Sequence, residues 1–430
     1  MRRIALVLLP VIVLGVMLLE SSARASLIYE VNSTGDLPDA APGDNQCDTQ
    51  PGVAGDQCTM RAVIQETNGE PGTDGIDFAI PGMGVKTIAP KTQLPDITGP
   101  VEIDGYSQGA ASPNTKPLAQ GDNATLLVEL SGARDTEFGP NGLTFDAGTS
   151  GSSVKGIVIN RFAGTGIVLN LGADATIQGN FIGTGPAGMA AHGAGFDGIF
   201  SNADVHVGGT PPADRNVISG NGRDALGGNG TYTVQGNYLG TASDGVSPLG
   251  NQGSAIQIFR SNSVVGGAGG AANVIAFNAG DGIGLINTSM NNPISRNRIF
   301  SNGDLGIDLG DDGRTPNDLG DGDTGPNEFQ NFPVITSATR SGSGALTIKG
   351  RLRSTPSQAF TLEFFRNPPG GDEGETFIGQ AMVSTDGTGL ATFTVHPSRS
   401  AALHDRITTT ATNANHSTSE FSGPRTVVSP

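Results

Sequence analysis

Apolar residues along this chain come in short pieces bounded by Gly, Asn and Asp; Gly166-Ile-Val-Leu, Gly198-Ile-Phe and Gly282-Ile-Gly-Leu are examples. The pieces are rich in β-branched residues and too short for a helix, so each predicts a strand. A strand that short buries little surface alone, so successive strands must stack and share one core.

Glycine and asparagine mark a repeat in this pattern. Ile177-Gln-Gly-Asn180-Phe-Ile-Gly-Thr184 returns as Val234-Gln-Gly-Asn237-Tyr-Leu-Gly-Thr241, and Asn216-Val-Ile-Ser-Gly-Asn221 returns as Asn273-Val-Ile-Ala-Phe-Asn278. The step from Ile177 to Val234 equals the step from Asn216 to Asn273, a period of 57. Val207-Gly-Gly and Val265-Gly-Gly keep nearly the same offset, and Ile294-Ser-Arg-Asn297-Arg-Ile-Phe-Ser-Asn302 is a degenerate last copy. Independent markers sharing one spacing predict a solenoid. The fold expected is all-β, a right-handed parallel β-helix over residues 74–310. At roughly 20 residues per coil and about 4.8 Å between coils it would hold on the order of a dozen coils. Whether one repeat makes two coils or three stays open at this point. Asn180, Asn221, Asn237, Asn278 and Asn297 each follow an Ile or Val by three residues. Asn tolerates left-handed backbone angles, and its amide can bond to the same amide one coil away, so these residues predict structural ladders.

An open solenoid end exposes core and unpaired strand edges, so both ends need closing. The stretch Thr59-Met-Arg-Ala-Val-Ile-Gln-Glu-Thr-Asn68 has a helical pattern, with Met60, Val63 and Ile64 on one face, and predicts the helix of an N-terminal cap at 26–73. Past Asn331 the texture changes. Segments such as Phe360-Thr-Leu-Glu-Phe-Phe and Leu390-Ala-Thr-Phe-Thr-Val alternate apolar and polar residues between turns, which predicts a small C-terminal antiparallel β-sandwich at 333–430 after an acidic linker at 311–332.

The N-terminus reads as a secretory signal peptide at 1–25: Arg2 and Arg3, an apolar run from Ile4 to Leu19, then Ala23-Arg24-Ala25. No later segment is apolar for long enough to span a bilayer, so the expected product has no transmembrane segment and is secreted, extracellular or at the cell surface. The whole chain carries 24 basic and 41 acidic residues; the leader holds three and one of them, leaving a net charge of −19. Nucleic acid and anionic lipid are poor partners for such a surface. Sixty-six Gly, no Trp and four Tyr argue against a large aromatic core and for many small rungs. Cys47 and Cys58 are the only cysteines, and in an oxidising compartment they predict a disulfide; two thiols without a neighbouring His do not complete a zinc site.

Several of these motifs resemble a known group. Cys58-Thr-Met-Arg-Ala-Val-Ile64 is similar to the Cys-Ser-Leu-Arg-Glu-Ala (CSLREA) motif that names a domain at the N-terminus of many secreted bacterial β-helix proteins. Ala62 stands where that motif has Glu, and Val63 where it has Ala. Val101-Glu-Ile-Asp-Gly-Tyr-Ser-Gln108, the Gly-Asn-x-x-Gly-Thr units and the acidic run from Pro316 to Asn327 also look like that group. The resemblance implies a pectin-lyase-like parallel β-helix with an immunoglobulin-like tail, in a family largely without assigned chemistry.

The densest set of oxygen ligands lies at Asp308-Leu-Gly-Asp-Asp312 and Asn317-Asp-Leu-Gly-Asp-Gly-Asp-Thr-Gly-Pro-Asn327. Calcium takes about six to eight hard oxygens in irregular geometry, so Asp318, Asp321, Asp323 and Asn327 are the expected ligands of a structural calcium ion at the domain junction. For catalysis, β-elimination of uronate polymers uses calcium, carboxylates and an Arg base, and hydrolysis uses paired carboxylates. Asp197, Asp204, Arg215, Asp224, Arg260, Asp281 and Arg296 stand singly in loops, with no linear pattern aligning them. The Asn-Thr-Asp, Gly-His-Gly and Arg-Ile-Lys signatures of β-helix pectin hydrolases are absent, and His192 beside Gly193 reads as a loop residue. Tyr232, Tyr238, Phe196 and Phe200 are the rings a sugar could stack on. The expected function is that of an exported, non-catalytic repeat protein binding polysaccharide or a cell-surface partner. The alternative is a divergent polysaccharide lyase or glycoside hydrolase whose site is assembled across coils.

Overall fold

The computed structural model describes residues 26–53, 57–135 and 137–430; the expected leader at 1–25 lies outside them. Three parallel sheets of nine, eight and seven strands make up the long body of the molecule. One coil runs through Asp174–Gln178 in the first sheet, Phe181–Ile182 in the second and Ile199–Ser201 in the third, and then returns to the first at Asp204–Gly208. This is a parallel β-helix, with the right-handed sense of parallel crossovers.

Register explains the repeat. Ala175 pairs with Val205, and Val205 with Tyr232, so one repeat makes two coils. Coils are therefore longer than expected, and the largest sheet has nine strands where a dozen coils were anticipated. The inward positions form apolar stacks. Ile177, Val207, Val234, Val265 and Ile294 line up across the first sheet, and Ile167, Ile199, Leu226, Ile256, Ile283 and Ile307 do so across the third. All of them are buried. Branched aliphatic side chains suit such stacks because each packs on its own kind one interstrand distance away.

The asparagines sort into two ladders. Between the first and second sheets, the backbone N–H of Asn180, Asn216, Asn237 and Asn273 each donates to the side-chain oxygen of the next asparagine, at 2.9–3.1 Å, ending on Asn297. After the second sheet, Asn221, Asn251 and Asn278 do the same toward Asn302. At six of the nine rungs a left-handed backbone angle falls on the preceding residue, at Gly179, Gly220, Gly236, Phe277, Arg296 and Ser301, and the ladder asparagines themselves do not adopt it. Asn is needed here for its amide, not for its backbone tolerance.

The outer faces of the second and third sheets differ in cover. The outer face of the second sheet is apolar, with Val158, Phe181, Val217, Tyr238 and Val274, and it is covered by Tyr106, Leu118, Ala124 and Leu126 of the loop that follows Val101–Asp104. Arg215 holds that loop, its Nη1 donating to Gly121 O at 2.9 Å and Lys116 O at 3.0 Å. On the third sheet the outward Val168 and Phe200 are only half-buried, and among the described residues they join no such apolar cluster.

At the N-terminal end the helix Met60–Gly69 starts on Thr59, whose hydroxyl accepts from Ala62 N at 3.1 Å, and buries Met60, Val63 and Ile64. Arg61 ties the preceding loop to the first coils, with Nε on Asp36 at 2.9 Å and its other nitrogens on Thr92 O and Gln93 O. At the other end, two antiparallel sheets of three and four strands, from Val334–Arg340 to Arg425–Thr426, enclose a second core around Ile348, Leu362, Phe364 and Ile407. Among the described residues no helix is long and apolar enough to cross a membrane.

Candidate functional site

A third ladder runs along the edge of the third sheet, and it is made of acids. Asp197, Asp224, Ser254 and Asp281 occupy equivalent places, each two residues before the inward aliphatic residue of its strand. Asp197 Oδ1 accepts from Asp224 N at 3.0 Å, Asp224 Oδ1 from Ser254 N at 2.8 Å, and Asp281 Oδ1 from Leu305 N at 2.8 Å. One oxygen of each aspartate thus closes a coil. On the other side, Asp197 Oδ2 and Asp224 Oδ2 face Arg223 at 3.7 and 3.5 Å.

The outward positions of the same strands form the floor beside this ladder. Phe200 registers with Gly227, Gln257 with Gly284, and Gly284 with Asp308. The row therefore passes from an aromatic ring, over glycines, to an acid, and the residues preceding the ladder repeat the order: Phe196, Arg223, Gly253, Gly280, Asp304. Gly253, Gly280 and Gly284 make room for the side chains beside them: a Cβ there would stand 2.3 Å from Asp224 Oδ1, 2.8 Å from Ser254 Oγ and 2.9 Å from Gln257 Oε1. Four coil steps separate Phe200 from Asp308, about 19 Å at the usual interstrand spacing.

The acid end opens on a cleft of about 420 Å³ lined by Asp281, Asp304, Leu305, Asp308, Asp311 and Asp312. Asp308 is fixed by accepting from Asp311 N at 3.0 Å and Gly313 N at 2.9 Å. Burial, then the charge of Asp308 and a hydrogen bond with the Asp311 carboxyl, push Asp281 up to about 7. Burial and the nearby Asp197 push Asp224 up to about 6. Gln257 is 9% exposed, and its Nε2 lies 3.2 Å from Ser254 Oγ and 3.5 Å from Asp311 Oδ1. Its Oε1 is buried and has no donor. The end of the groove thus offers acceptors, with one carboxyl able to hold a proton near neutrality.

Stacking of coils aligns what the linear chain left scattered: Asp197, Asp224 and Asp281 share this edge. The other candidates go elsewhere. Asp204 and Arg260 border a separate groove of about 410 Å³ at the turn into the first sheet. Arg215 is the loop anchor, Arg296 packs against the sandwich with Nη2 on Gln380 Oε1 at 2.6 Å, and His192 lies 3.3 Å from Arg161. Tyr232 and Tyr238 are fully buried, whereas Phe196 is 53% exposed and Phe200 half-buried on the groove. Arg223 and Gln257 escaped sequence reasoning, and Asp311 was read as part of the acidic cluster at Asp308–Asp312. A usable signal existed, since Asp224 and Asp281 each follow a ladder asparagine, Asn221 and Asn278, by three residues.

Of the expected calcium ligands, Asp318, Asp321 and Asp323 come together, one carboxylate oxygen from each lying within 4.8 Å of the others. Asn327 does not join them. It is fully buried, and its Nδ2 donates to Asn292 O and Thr418 O, both at 2.9 Å, so its amide continues the helix into the sandwich. Cys47 and Cys58 are bonded, with Cα atoms 5.0 Å apart.

No family model and no curated protein matches this chain. Among solved structures, full-length tailspike protein 2 of Escherichia coli O157:H7 bacteriophage CAB120 is similar at 10% identity and a TM-score of 0.19, over 85% of this chain. This chain spans 65% of the tailspike's length.

Proposed function

We propose that this is an exported protein that binds a glycan chain lengthwise in the groove of the third sheet. The observation that carries the reading is the row from Phe200 through Gly227, Gln257 and Gly284 to Asp308, an aromatic ring leading along glycine positions packed by polar side chains to fixed carboxylates. Apolar ring faces and polar hydroxyls on one ligand match that order. The test is calorimetry of the chain lacking its leader against a panel of soluble oligosaccharides. Binding that weakens at least tenfold in a Phe196→Ala, Phe200→Ala double variant supports the reading, and no binding to any member overturns it.

A second reading, hydrolysis of the bound glycan, is favoured by one specific feature, the hydrogen-bonded Asp281–Asp311 carboxyl pair in which Asp281 is pushed up to about 7. In that reading Asp281 protonates the leaving oxygen, as a carboxyl held near neutrality can. New reducing ends released by the wild type and not by Asp281→Asn would favour it.

The same reading gives Asp318, Asp321 and Asp323 a structural calcium ion, because three carboxylates on Gly-punctuated backbone suit a hard cation. Calcium should raise the melting temperature of the wild type and leave an Asp318→Asn, Asp323→Asn variant unmoved.

A further inference from the structure

The groove is strongly one-sided in its chemistry. From Asp197 to Asp312 its edge and end carry Asp197, Asp224, Asp281, Asp308, Asp311 and Asp312; among the described residues Arg223 is the cation ion-paired with them, and it already sits between Asp197 and Asp224, while Arg314 lies beyond Asp304 and Leu305 in the neighbouring cavity. Carboxylates at this density repel one another, and burial of Asp281 and Asp224 makes each charge harder to keep. No cationic side chain lines the cleft to answer them. Under the same acids lies a second, independent sign. Gln257 is more than nine-tenths buried, its Oε1 has no donor, and that oxygen lies over the bare Gly284 in the floor, 2.9 Å from where a Cβ would stand. A buried amide oxygen without a donor is uncommon, and it marks where a donor is missing. Carboxylates and an orphaned carbonyl together ask for one kind of ligand, a positively charged group rich in N–H donors.

We infer that the glycan of this groove is an amino-sugar polymer bearing unacetylated, cationic amines, with Asp224, Asp281 and Asp311 as the residues that select it. The inference rests on the glycan-binding reading above. A linear polymer of deacetylated hexosamine brings an ammonium group at a regular interval, and the acid ladder repeats along the groove at multiples of about 4.8 Å. Its ring faces meet Phe196 and Phe200 at one end, and its amines meet the acids at the other. Uronate polymers carry the opposite charge and are repelled, and N-acetylation removes the charge that the acids recognise. The site differs from a metal cage: among the described residues, three carboxylates converging within 4.8 Å occur at Asp318, Asp321 and Asp323, not here.

The experiment is isothermal titration of the chain lacking its leader with four probes of equal length: oligomers of glucosamine, of N-acetylglucosamine, of glucose and of galacturonate. It is run at low and moderate salt, with Asp224→Asn, Asp281→Asn as the test variant and Asp204→Asn as the control. Asn keeps an oxygen for the Ser254 and Leu305 N–H groups, so the coil contacts survive, and circular dichroism melts check this. The expected result is glucosamine oligomer bound at least tenfold more tightly than the acetylated one. That preference should shrink as salt rises, collapse in the double variant and persist in Asp204→Asn. Equal affinity for charged and uncharged oligomers would overturn the inference and leave the glycan-binding reading standing. Tightest binding of galacturonate, or binding of calcium in the groove with no oligomer bound, would also overturn it. No binding of any oligomer would remove both.

Discussion

Asn302, the last rung of the second asparagine ladder, is held by Glu373 of the sandwich: its backbone N–H and its Nδ2 both donate to the Glu373 carboxylate, at 3.0 and 2.8 Å. Two further glutamates act alike. Glu363 accepts from Ser295 Oγ and Arg296 N, both at 2.8 Å, and Glu420 accepts from Leu309 N at 3.3 Å. Ser295 ends a first-sheet strand, Asn302 follows a second-sheet strand and Leu309 ends a third-sheet strand, so each sheet of the open end is answered by one carboxylate. The sandwich thereby closes the solenoid through its polar edges as well as through Phe365 and Phe421, which join the rod's core.

Glu373→Ala should destabilise the protein by about 1–3 kcal/mol, the usual effect of leaving buried donors unmatched. Glu373→Gln keeps an acceptor oxygen and should lose less. Chemical denaturation monitored by circular dichroism separates the two, and an alanine variant as stable as wild type would refute the closing role.

The junction also predicts the sign of the pH dependence. Burial raises Glu373 and Glu420 to about 7, Asp281 to about 7 and Asp321 to about 6. A carboxyl whose folded value lies above its unfolded one contributes stability that is complete below the unfolded value and lost as pH rises through the folded value. The protein should therefore melt at a higher temperature at pH 5 than at pH 8, with stability falling from about pH 4.5, the unfolded carboxyl range, up to about pH 7. A Glu373→Gln, Glu420→Gln variant should flatten that fall; calorimetry showing a slope of the opposite sign would contradict the assignment.

Much of this architecture is legible in the amino-acid sequence. The shared spacing of Asn180 with Asn237 and of Asn221 with Asn278 announces stacking, and Thr59 followed by an apolar helical face announces the cap. Coil length was not legible, because loops such as that between Ile182 and Ile199 leave no mark on the periodicity of the strands. The groove was hidden for a related reason. Asp224 and Asp281 lie one full repeat apart, and only the pairing of Leu226 with Ile256 and of Ile256 with Ile283 puts them on one edge. The acidic run from Asp308 to Asn327 read as one cluster, yet the fold divides it: Asp308 and Asp311 enter the groove, Asp318, Asp321 and Asp323 stay at the junction, and Asn327 joins the asparagines.

Asparagines of the two kinds should respond differently to truncation. Asn216 is fully buried; it donates to Ile177 O at 2.8 Å and accepts from Asn180 N at 2.9 Å. Asn216→Ala strands both groups in the core and should lose about 3 kcal/mol or more, two unmatched groups at the usual size. Asn229 repeats the pattern on an exposed turn, with 3.3 Å bonds to Asn202, and Asn229→Ala should change stability by less than about 0.5 kcal/mol. Equal losses at the two sites would mean that the ladder contributes through turn conformation and not through its buried hydrogen bonds.

Asp281 decides whether the groove binds or also cleaves. Its proton is held by burial, by the charge of Asp308 and by a hydrogen bond with the Asp311 carboxyl, so near pH 6 Asp281 remains a carboxylic acid paired with a second acidic residue. Hydrolysis needs that pairing, an acid for the leaving oxygen and a base for water or the sugar. If cleavage occurs, its rate on an uncharged glycan should fall as pH rises through about 7, where Asp281 loses its proton. Asp281→Asn should lower that rate by about a hundredfold or more, the ordinary contribution of general acid catalysis, with binding of the uncharged glycan nearly unchanged. Asp311→Asn takes away the partner carboxylate and should move the alkaline limb to lower pH, since one charge fewer then opposes ionisation of Asp281. A rate profile that ignores both substitutions would place any chemistry outside this groove. Binding without cleavage in all three proteins would leave the pair as a recognition element for the ligand's amines.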